Sequence, residues 1–212
     1  MLYTLEGLKP QVFEKLHPQV DANAHPLKPR KRKRNAPEGN EPDFNLRLYL
    51  YLLTGVDLTQ IDGINALTAQ VIVTEIGLDM SKWPTVKHFT SWLRLCPYND
   101  ISGGRVLKRS AKKTQNRATR ALRMAACSLS RSDSALGAFY RRMRAKFGPV
   151  KANTATAHKL ARIIYFMLKR REEYVDPGES YYQEKYRERV VRNLGRKAKA
   201  LGFQLVPIPS ET

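Results

Sequence analysis

Apolar residues recur at helical spacing through most of this chain, and this periodicity limits the fold more than any other feature. Between residues 118 and 129 they fall at i, i+3, i+4, i+7 and i+11, set by Ala118, Ala121, Leu122, Ala125 and Leu129. The same period returns in three later stretches, at residues 136–147, 157–168 and 182–201. Because no segment shows sustained period-2 alternation, the sequence predicts an all-α domain of about seven helices.

The first half of the helical region has readable boundaries. Leucines between residues 46 and 53 predict a short buried helix ended by Gly55. Asn65 is a plausible N-cap for a helix that begins near Ala66 and ends at Gly77, and a further helix is predicted over residues 85–95. After it, residues 97–112 are predicted to form a polar, glycine-rich loop.

Gly63 lies between two short helical runs, the second of which begins near Ala66, and this arrangement predicts a helix-hairpin-helix-like element. We expect the exposed amides of Gly63, Asn65 and Ala66 at the start of its second helix to contact phosphate, because a helix N-terminus attracts anions. A plain αα corner with no ligand is the alternative.

Recurrent prolines set residues 1–45 apart as a disordered, basic, Pro-rich N-terminal tail. Its basic run at residues 28–34 is either a solvated tether or a contact to a nucleic-acid backbone. We expect three parts: a flexible basic segment at 1–45, a helical domain at 46–175, and a C-terminal helix and tail at 176–212.

Positive charge is concentrated in one stretch of the chain. Residues 101–171 hold nineteen Lys or Arg and one acid, Asp133, which is +18 of the formal net charge of +19. A polyanion is the natural partner of such a stretch, because neutralising phosphates with Lys and Arg releases condensed counterions. Aromatic stacking platforms, which an RNA-coating protein would need, are few here and spaced as core residues.

A small polar turn, Ser102-Gly103-Gly104, stands at the entrance to the basic stretch. Glycines let a backbone approach a ligand closely, and a serine hydroxyl becomes a nucleophile only where neighbouring groups activate it. Taken alone, this string is more often a flexible turn than a catalytic site. The cations that we expect to hold a phosphate backbone follow it: Arg105, Lys108, Arg109, Lys112, Lys113, Arg117 and Arg120.

Several functional classes find no support in the sequence. No run approaches the roughly 18 apolar residues that span a bilayer, and no signal peptide opens the chain. Cys96 and Cys127 form neither a disulfide framework nor a metal motif, so we expect no membrane partner, no metal site and a cytoplasmic protein. His158 is predicted to be structural, and a general base acting on Ser102 is the alternative.

The order and spacing of many short motifs resemble the C-terminal transposase domain of a bacterial insertion-sequence family, the IS-one-ten / IS-one-sixteen family of DEDD-type transposases, which includes bridge-RNA-guided recombinases. The similarity covers about residues 28–208, although no single motif is decisive. The strings that carry it lie at residues 55–59, 61–64, 68–69, 75–77, 92–93, 95–97, 102–104, 116–117, 121–123 and 156–161.

This resemblance implies a transposase, or site-specific DNA recombinase, in which Ser102 attacks DNA and forms a phosphoserine link. Full-length members carry an N-terminal ribonuclease-H-like domain whose four acids bind Mg²⁺, and residues 1–45 cannot build that site. We therefore expect a truncated copy with no cofactor in this chain, and Mg²⁺ only through the missing domain. The activity of the isolated chain is accordingly in doubt.

The expected partners are DNA, a guide RNA, and an intact transposase copy or a second copy of this chain, in the nucleoid of a bacterial cytoplasm. The main alternative is a non-enzymatic basic helical module that binds nucleic acid, with Ser102 as a turn residue. A structural or ribosome-associated protein is a second alternative.

Overall fold

The computed structural model describes residues 19, 26–28, 42, 44–96, 98–110, 116–206 and 208, with the backbone alone at 98–101 and 106–110. Most of the expected tail, including the basic run beyond Lys28, therefore lies outside the described residues. Over these residues the chain is helical, with the bounds α1 Leu46–Thr54, α2 Ala66–Ile76, α3 Val86–Trp92, α4 Arg117–Ser128, α5 Ala135–Phe147, α6 Pro149–Arg170 and α7 Gly178–Ala200. Three short 3₁₀ helices, at Leu58–Gln60, Met80–Lys82 and Leu129–Arg131, connect them.

The predicted ends of α1 and α2 are confirmed, whereas α3 ends at Trp92 rather than at residue 95. Gly55 ends α1 in the left-handed conformation, at φ 76°. The Asn65 side chain caps α2 by accepting a hydrogen bond from the Thr68 amide at 2.8 Å. The first half of the expected helix-hairpin-helix is the one-turn 3₁₀ helix Leu58–Gln60 rather than an α-helix.

The longest well-packed helix, α6, lies at the centre of the domain and packs against α3, α4 and α5. Its buried face carries Ala157, Leu160, Ala161 and Ile164, as the periodicity predicts. Small residues on this face let neighbouring helices approach closely, and α2 extends the same core by packing on α4. The all-α fold class is confirmed.

The segment predicted as a loop is an antiparallel hairpin, so that local prediction is wrong. Strand β1, Tyr98–Ser102, pairs with strand β2, Arg105–Ser110, with an irregularity in register between Asp100 and Ile101. The strands are short and mainly polar, so they lack the alternation that identifies a half-buried strand. The two-glycine turn was the available signal, since paired glycines at a two-residue loop favour a tight hairpin.

The last helix, α7, is long but contributes little to the core. None of its residues is buried, and the element it packs against most closely is α5. Of its predicted apolar positions, Tyr186 and Leu194 are exposed, whereas Tyr182 and Val190 are half-buried. No helix among the described residues is long and apolar enough to cross a membrane.

Candidate functional site

Ser102 lies at the tip of the hairpin and is exposed. It pairs directly with Arg105 across the two-residue turn. Gly103 and Gly104 form that turn with φ 55° and 75°, values that side chains with a Cβ rarely adopt. The local sequence therefore presents a serine hydroxyl and a guanidinium side by side at the end of a protruding ribbon.

Two anchors in the helical body hold the base of the hairpin. Leu95, just before β1, is buried, and the Thr119 hydroxyl of α4 donates a hydrogen bond of 2.8 Å to the Leu93 carbonyl. Asn116 caps α4 by accepting from the Thr119 amide at 3.1 Å. Beyond these anchors, the strands make no extensive contact with any helix in the described part of the chain.

The expected backbone-binding cations fall into three groups. Register places Lys108 opposite Asp100 and Arg109 opposite Asn99 in the hairpin. Arg117 and Arg120 are exposed on α4. Lys112 and Lys113 lie outside the described residues.

Arg117 is the only one of these α4 cations with a described acidic partner, a 3.2 Å ion pair with Glu75. The Arg117 side chain is two-thirds exposed, so the pair is solvent-screened and worth little. A phosphate can therefore compete with Glu75 for Arg117.

The three residues expected to bind phosphate at the start of α2 lie in different environments. The Ala66 side chain is buried, which leaves only its backbone amide for a ligand. The Asn65 side-chain oxygen is used as the helix cap. A Cβ on Gly63 would lie 2.7 Å from the Ala125 carbonyl of α4, so this glycine also permits close packing between the α2 turn and α4.

His158 is half-buried on α6, and burial followed by the nearby Arg162 charge lowers its pKa. Among the described residues its ring makes no hydrogen bond. No described group of three or more His, Cys, Asp or Glu side chains has an arrangement that could hold a metal ion.

Residues 57–141 match the sequence model of a family described as the transposase IS116/IS110/IS902 family. This segment is therefore similar to the transposase domain of that family. The match includes α2–α4, the hairpin with Ser102, and most of α5. A transposase family implies DNA as the partner. Neither the curated proteins nor the solved structures contain a significant match to this chain.

One cluster of cations was missed from the sequence. It comprises Arg142, Lys159, Arg162 and Arg189 on three different helices. Arg142 and Lys159 lie against the Tyr182 ring, and the charges of Arg162 and Arg189 act on Lys159. The sequence signal was present, because the first three belong to the basic stretch and Tyr182 to the α7 pattern. Their meeting depends on the packing of α7 against α5, which periodicity alone does not give.

Proposed function

We propose that this chain is a DNA-binding transposase domain that takes part in recombination through nucleophilic attack by Ser102 on the DNA backbone. The observation that carries the proposal is the position of Ser102, exposed at a hairpin tip beside Arg105, within the segment that matches a transposase family. An exposed ribbon can bring a hydroxyl to a phosphodiester without moving the helical body.

The proposed step is a transesterification at phosphorus. A bond forms between Ser102 Oγ and phosphorus while one phosphorus–oxygen bond to deoxyribose breaks, which leaves a phosphoserine link and a free sugar hydroxyl. The serine proton passes to solvent or a base, and the leaving oxygen takes up a proton. Arg105 is placed to stabilise the charge that develops on the phosphoryl oxygens.

The basic surface supplies affinity rather than sequence recognition in this proposal. Arg117 and Arg120 on α4, with Arg105, Lys108 and Arg109 on the hairpin, supply contacts to phosphates, which carry no base information. We expect binding to be dominated by counterion release, so that log K falls steeply with log salt. A salt slope near zero would remove the basic stretch from the mechanism.

The isolated chain is proposed to bind DNA without cutting it. Attack on a phosphodiester also needs help for the leaving oxygen, and the described residues contain no acidic cluster that would hold a metal ion. In this proposal the acids come from another domain or polypeptide, such as an intact family member supplied in trans. Cleavage by the chain alone with Mg²⁺ would contradict this division.

A non-enzymatic nucleic-acid-binding module is the second candidate. It is favoured by one observation: the Ser102 hydroxyl has no hydrogen bond to a described His, Asp or Glu that would activate it. In that case DNA binding would persist while Ser102 forms no covalent product under any conditions.

The deciding experiment is strand cleavage of a labelled DNA by this chain together with an intact family transposase whose own nucleophilic serine is replaced. We expect a protein–DNA species that survives denaturation with the wild-type chain and is lost with Ser102→Ala, while DNA affinity changes little. Gly104→Ala is the matched control for a disturbed hairpin that keeps the hydroxyl. Cleavage that survives Ser102→Ala would contradict the nucleophile assignment.

We extend the proposal to the wider expectations of a guide RNA, a second copy or an intact transposase as partners, and a place in the bacterial nucleoid. Nuclease-resistant RNA that co-purifies with the protein would support the guide. Light scattering on the purified chain gives its mass, and a monomer at all concentrations would exclude self-association.

A further inference from the structure

Four positively charged side chains meet where α5, α6 and α7 come together. The Arg142 guanidinium lies 3.8 Å from the centroid of the Tyr186 ring and 5.1 Å from that of Tyr182. The Lys159 ammonium lies 4.6 Å from the Phe139 ring and 5.3 Å from the Tyr182 ring. Both cations therefore lie beside the Tyr182 ring.

Two further guanidinium groups lie close to this pair. Burial lowers the pKa of Lys159, and the charges of Arg142, Arg189 and Arg162 lower it further. Burial raises the pKa of Tyr182, and the charges of Arg142 and Arg189 oppose that rise. Like charges held together at a partly buried position disfavour one another, so this arrangement is unfavourable unless a negative group joins it.

No described carboxylate neutralises the cluster. The nearby acid, Glu179, is already paired with Arg141 at 2.6 Å. Within the described part of the chain, Arg142, Lys159, Arg162 and Arg189 make no ion pair, Arg142 Nη1 is buried with no acceptor, and the buried Tyr182 hydroxyl has no hydrogen-bond partner. Buried polar atoms are usually satisfied, so these two donors call for an acceptor.

A groove beside the cluster gives an acceptor access. It lies between α5 and α7 and has a volume of about 280 Å³. Of the four cations Arg142 lines it, together with Tyr182, Tyr186 and the paired Arg141 and Glu179. Its donors are guanidinium and phenol groups, which suit phosphate oxygens. The ring faces of Tyr182 and Tyr186 already carry cations, so they are poorly placed to stack on bases.

We propose that the cluster of Arg142, Lys159, Arg162 and Arg189 binds phosphates of a nucleic-acid backbone. This inference rests on the proposed function and adds a second contact surface, built from α5–α7 and separate in sequence from the Ser102 hairpin. Four cations exceed the single charge of one phosphodiester, so the cluster suits consecutive phosphates of a strand. Recognition here is independent of base sequence.

The test compares Lys159→Met with Lys151→Met. Both replacements remove one positive charge from α6, but Lys151 is exposed and makes no described ring contact. Binding to a short duplex DNA is measured by fluorescence anisotropy over a range of salt concentrations. Thermal unfolding is measured in parallel, alone and with inorganic phosphate or duplex DNA.

We expect Lys159→Met to weaken DNA binding roughly five- to tenfold near 0.1 M salt and to lower the salt slope by about 1, as for the loss of one phosphate contact. The free variant should melt at the same temperature as the wild type or higher, because a repelled, partly buried charge is gone. DNA should raise the melting temperature of the wild type more than that of Lys159→Met, and Lys159→Arg should restore binding.

Three results would overturn the inference while leaving the proposed function intact. One is equal DNA affinity for Lys159→Met and Lys151→Met. The other is a large loss of thermal stability in Lys159→Met with unchanged binding, which would make the cluster a packing element. Stabilisation by inorganic phosphate but not by DNA would also overturn it, by assigning the site to a free anion. A wild-type chain that binds no DNA at all would instead contradict the proposed function itself.

Discussion

The helical body and the β-hairpin use the same residue type, glycine with positive φ, for opposite purposes. Gly63 in the body, at φ 85°, lies against the Ala125 carbonyl and the Leu129 side chain, where no Cβ fits. Gly104 in the hairpin, at φ 75°, has open space where its Cβ would be. In the body the glycine allows dense packing, whereas in the hairpin it only shapes a turn that displays Ser102.

The difference extends to how each region is stabilised. The body buries a continuous core that joins α1–α6, together with a buried ion pair between Arg47 and Asp57. The hairpin is held by the hydrogen bonds between its two strands and by the anchors at its base. We infer that the body sets the free energy of unfolding and that the hairpin is free to change conformation without unfolding the domain.

The largest predicted effect on stability comes from breaking the buried pair in the body. Asp57 accepts hydrogen bonds from Arg47, Thr59 and Gln60, at 2.5 Å for the Arg47 Nη2 bond. Asp57→Asn leaves the largely buried Arg47 guanidinium without its counter-charge and should cost about 3–5 kcal/mol in the free energy of unfolding. Urea denaturation at neutral pH measures it.

The pH dependence of this variant supplies its control. Burial alone would raise the pKa of Asp57, but hydrogen bonds from Arg47, Thr59 and Gln60 outweigh it and hold the pKa below its usual value. The stabilisation is therefore complete above the unfolded pKa of about 3.9 and is lost as pH falls through the folded value. Wild-type stability should fall more steeply than that of Asp57→Asn below about pH 4. Asp79→Asn, at an exposed 3₁₀ cap, should have a much smaller effect at neutral pH.

The next largest effect on stability is expected from replacing Gly63, and replacing Gly104 gives the direct comparison. Gly63→Ala combines an unfavourable positive φ with overpacking against α4 and should cost about 2–4 kcal/mol. Gly104→Ala carries the same φ penalty with no overpacking and should cost about 1 kcal/mol, confined to the hairpin. Thermal melts of both variants separate packing from backbone strain. Equal losses of melting temperature would refute the distinction between the regions.

The smallest predicted effect is that of Ser102→Ala. Its hydroxyl is exposed and unbonded to other described residues, so the free energy of unfolding should change by less than about 0.5 kcal/mol. Calorimetry on the variant checks this. A larger loss would show that Ser102 supports the hairpin structure, and any functional effect of Ser102→Ala would then need the Gly104→Ala control to be interpreted.

The sequence predicted the body better than the hairpin, for a physical reason. Helix faces repeat within a few residues, so Leu160, Ala161 and Ile164 could be assigned to the core, and Asn65 and Gly77 mark helix ends through local hydrogen bonds. The hairpin has no buried face to impose alternation, so its polar strands resembled a loop. The Gly63 contact with α4 depends on tertiary packing that no local pattern records.

The candidate site divides in the same way. Ser102 and the cations near it lie close together in sequence, so they could be named from the sequence. That a hairpin presents them could not be predicted. The cluster around Tyr182 draws on α5, α6 and α7, and only the packing of α7 on α5 reveals it. Whether Ser102 attacks DNA stays a prediction.

The most direct test of the separation between body and hairpin is amide hydrogen exchange, followed by mass spectrometry, in wild type and Gly63→Ala. We expect Gly63→Ala to speed exchange in α2, α4 and α6 together, by roughly the same free energy, because these helices open with the core. Exchange in residues 98–110 should be fast in both proteins and unchanged by the substitution. Strong protection of the hairpin that falls in step with the helices would contradict the account, because the two regions would then unfold as one unit.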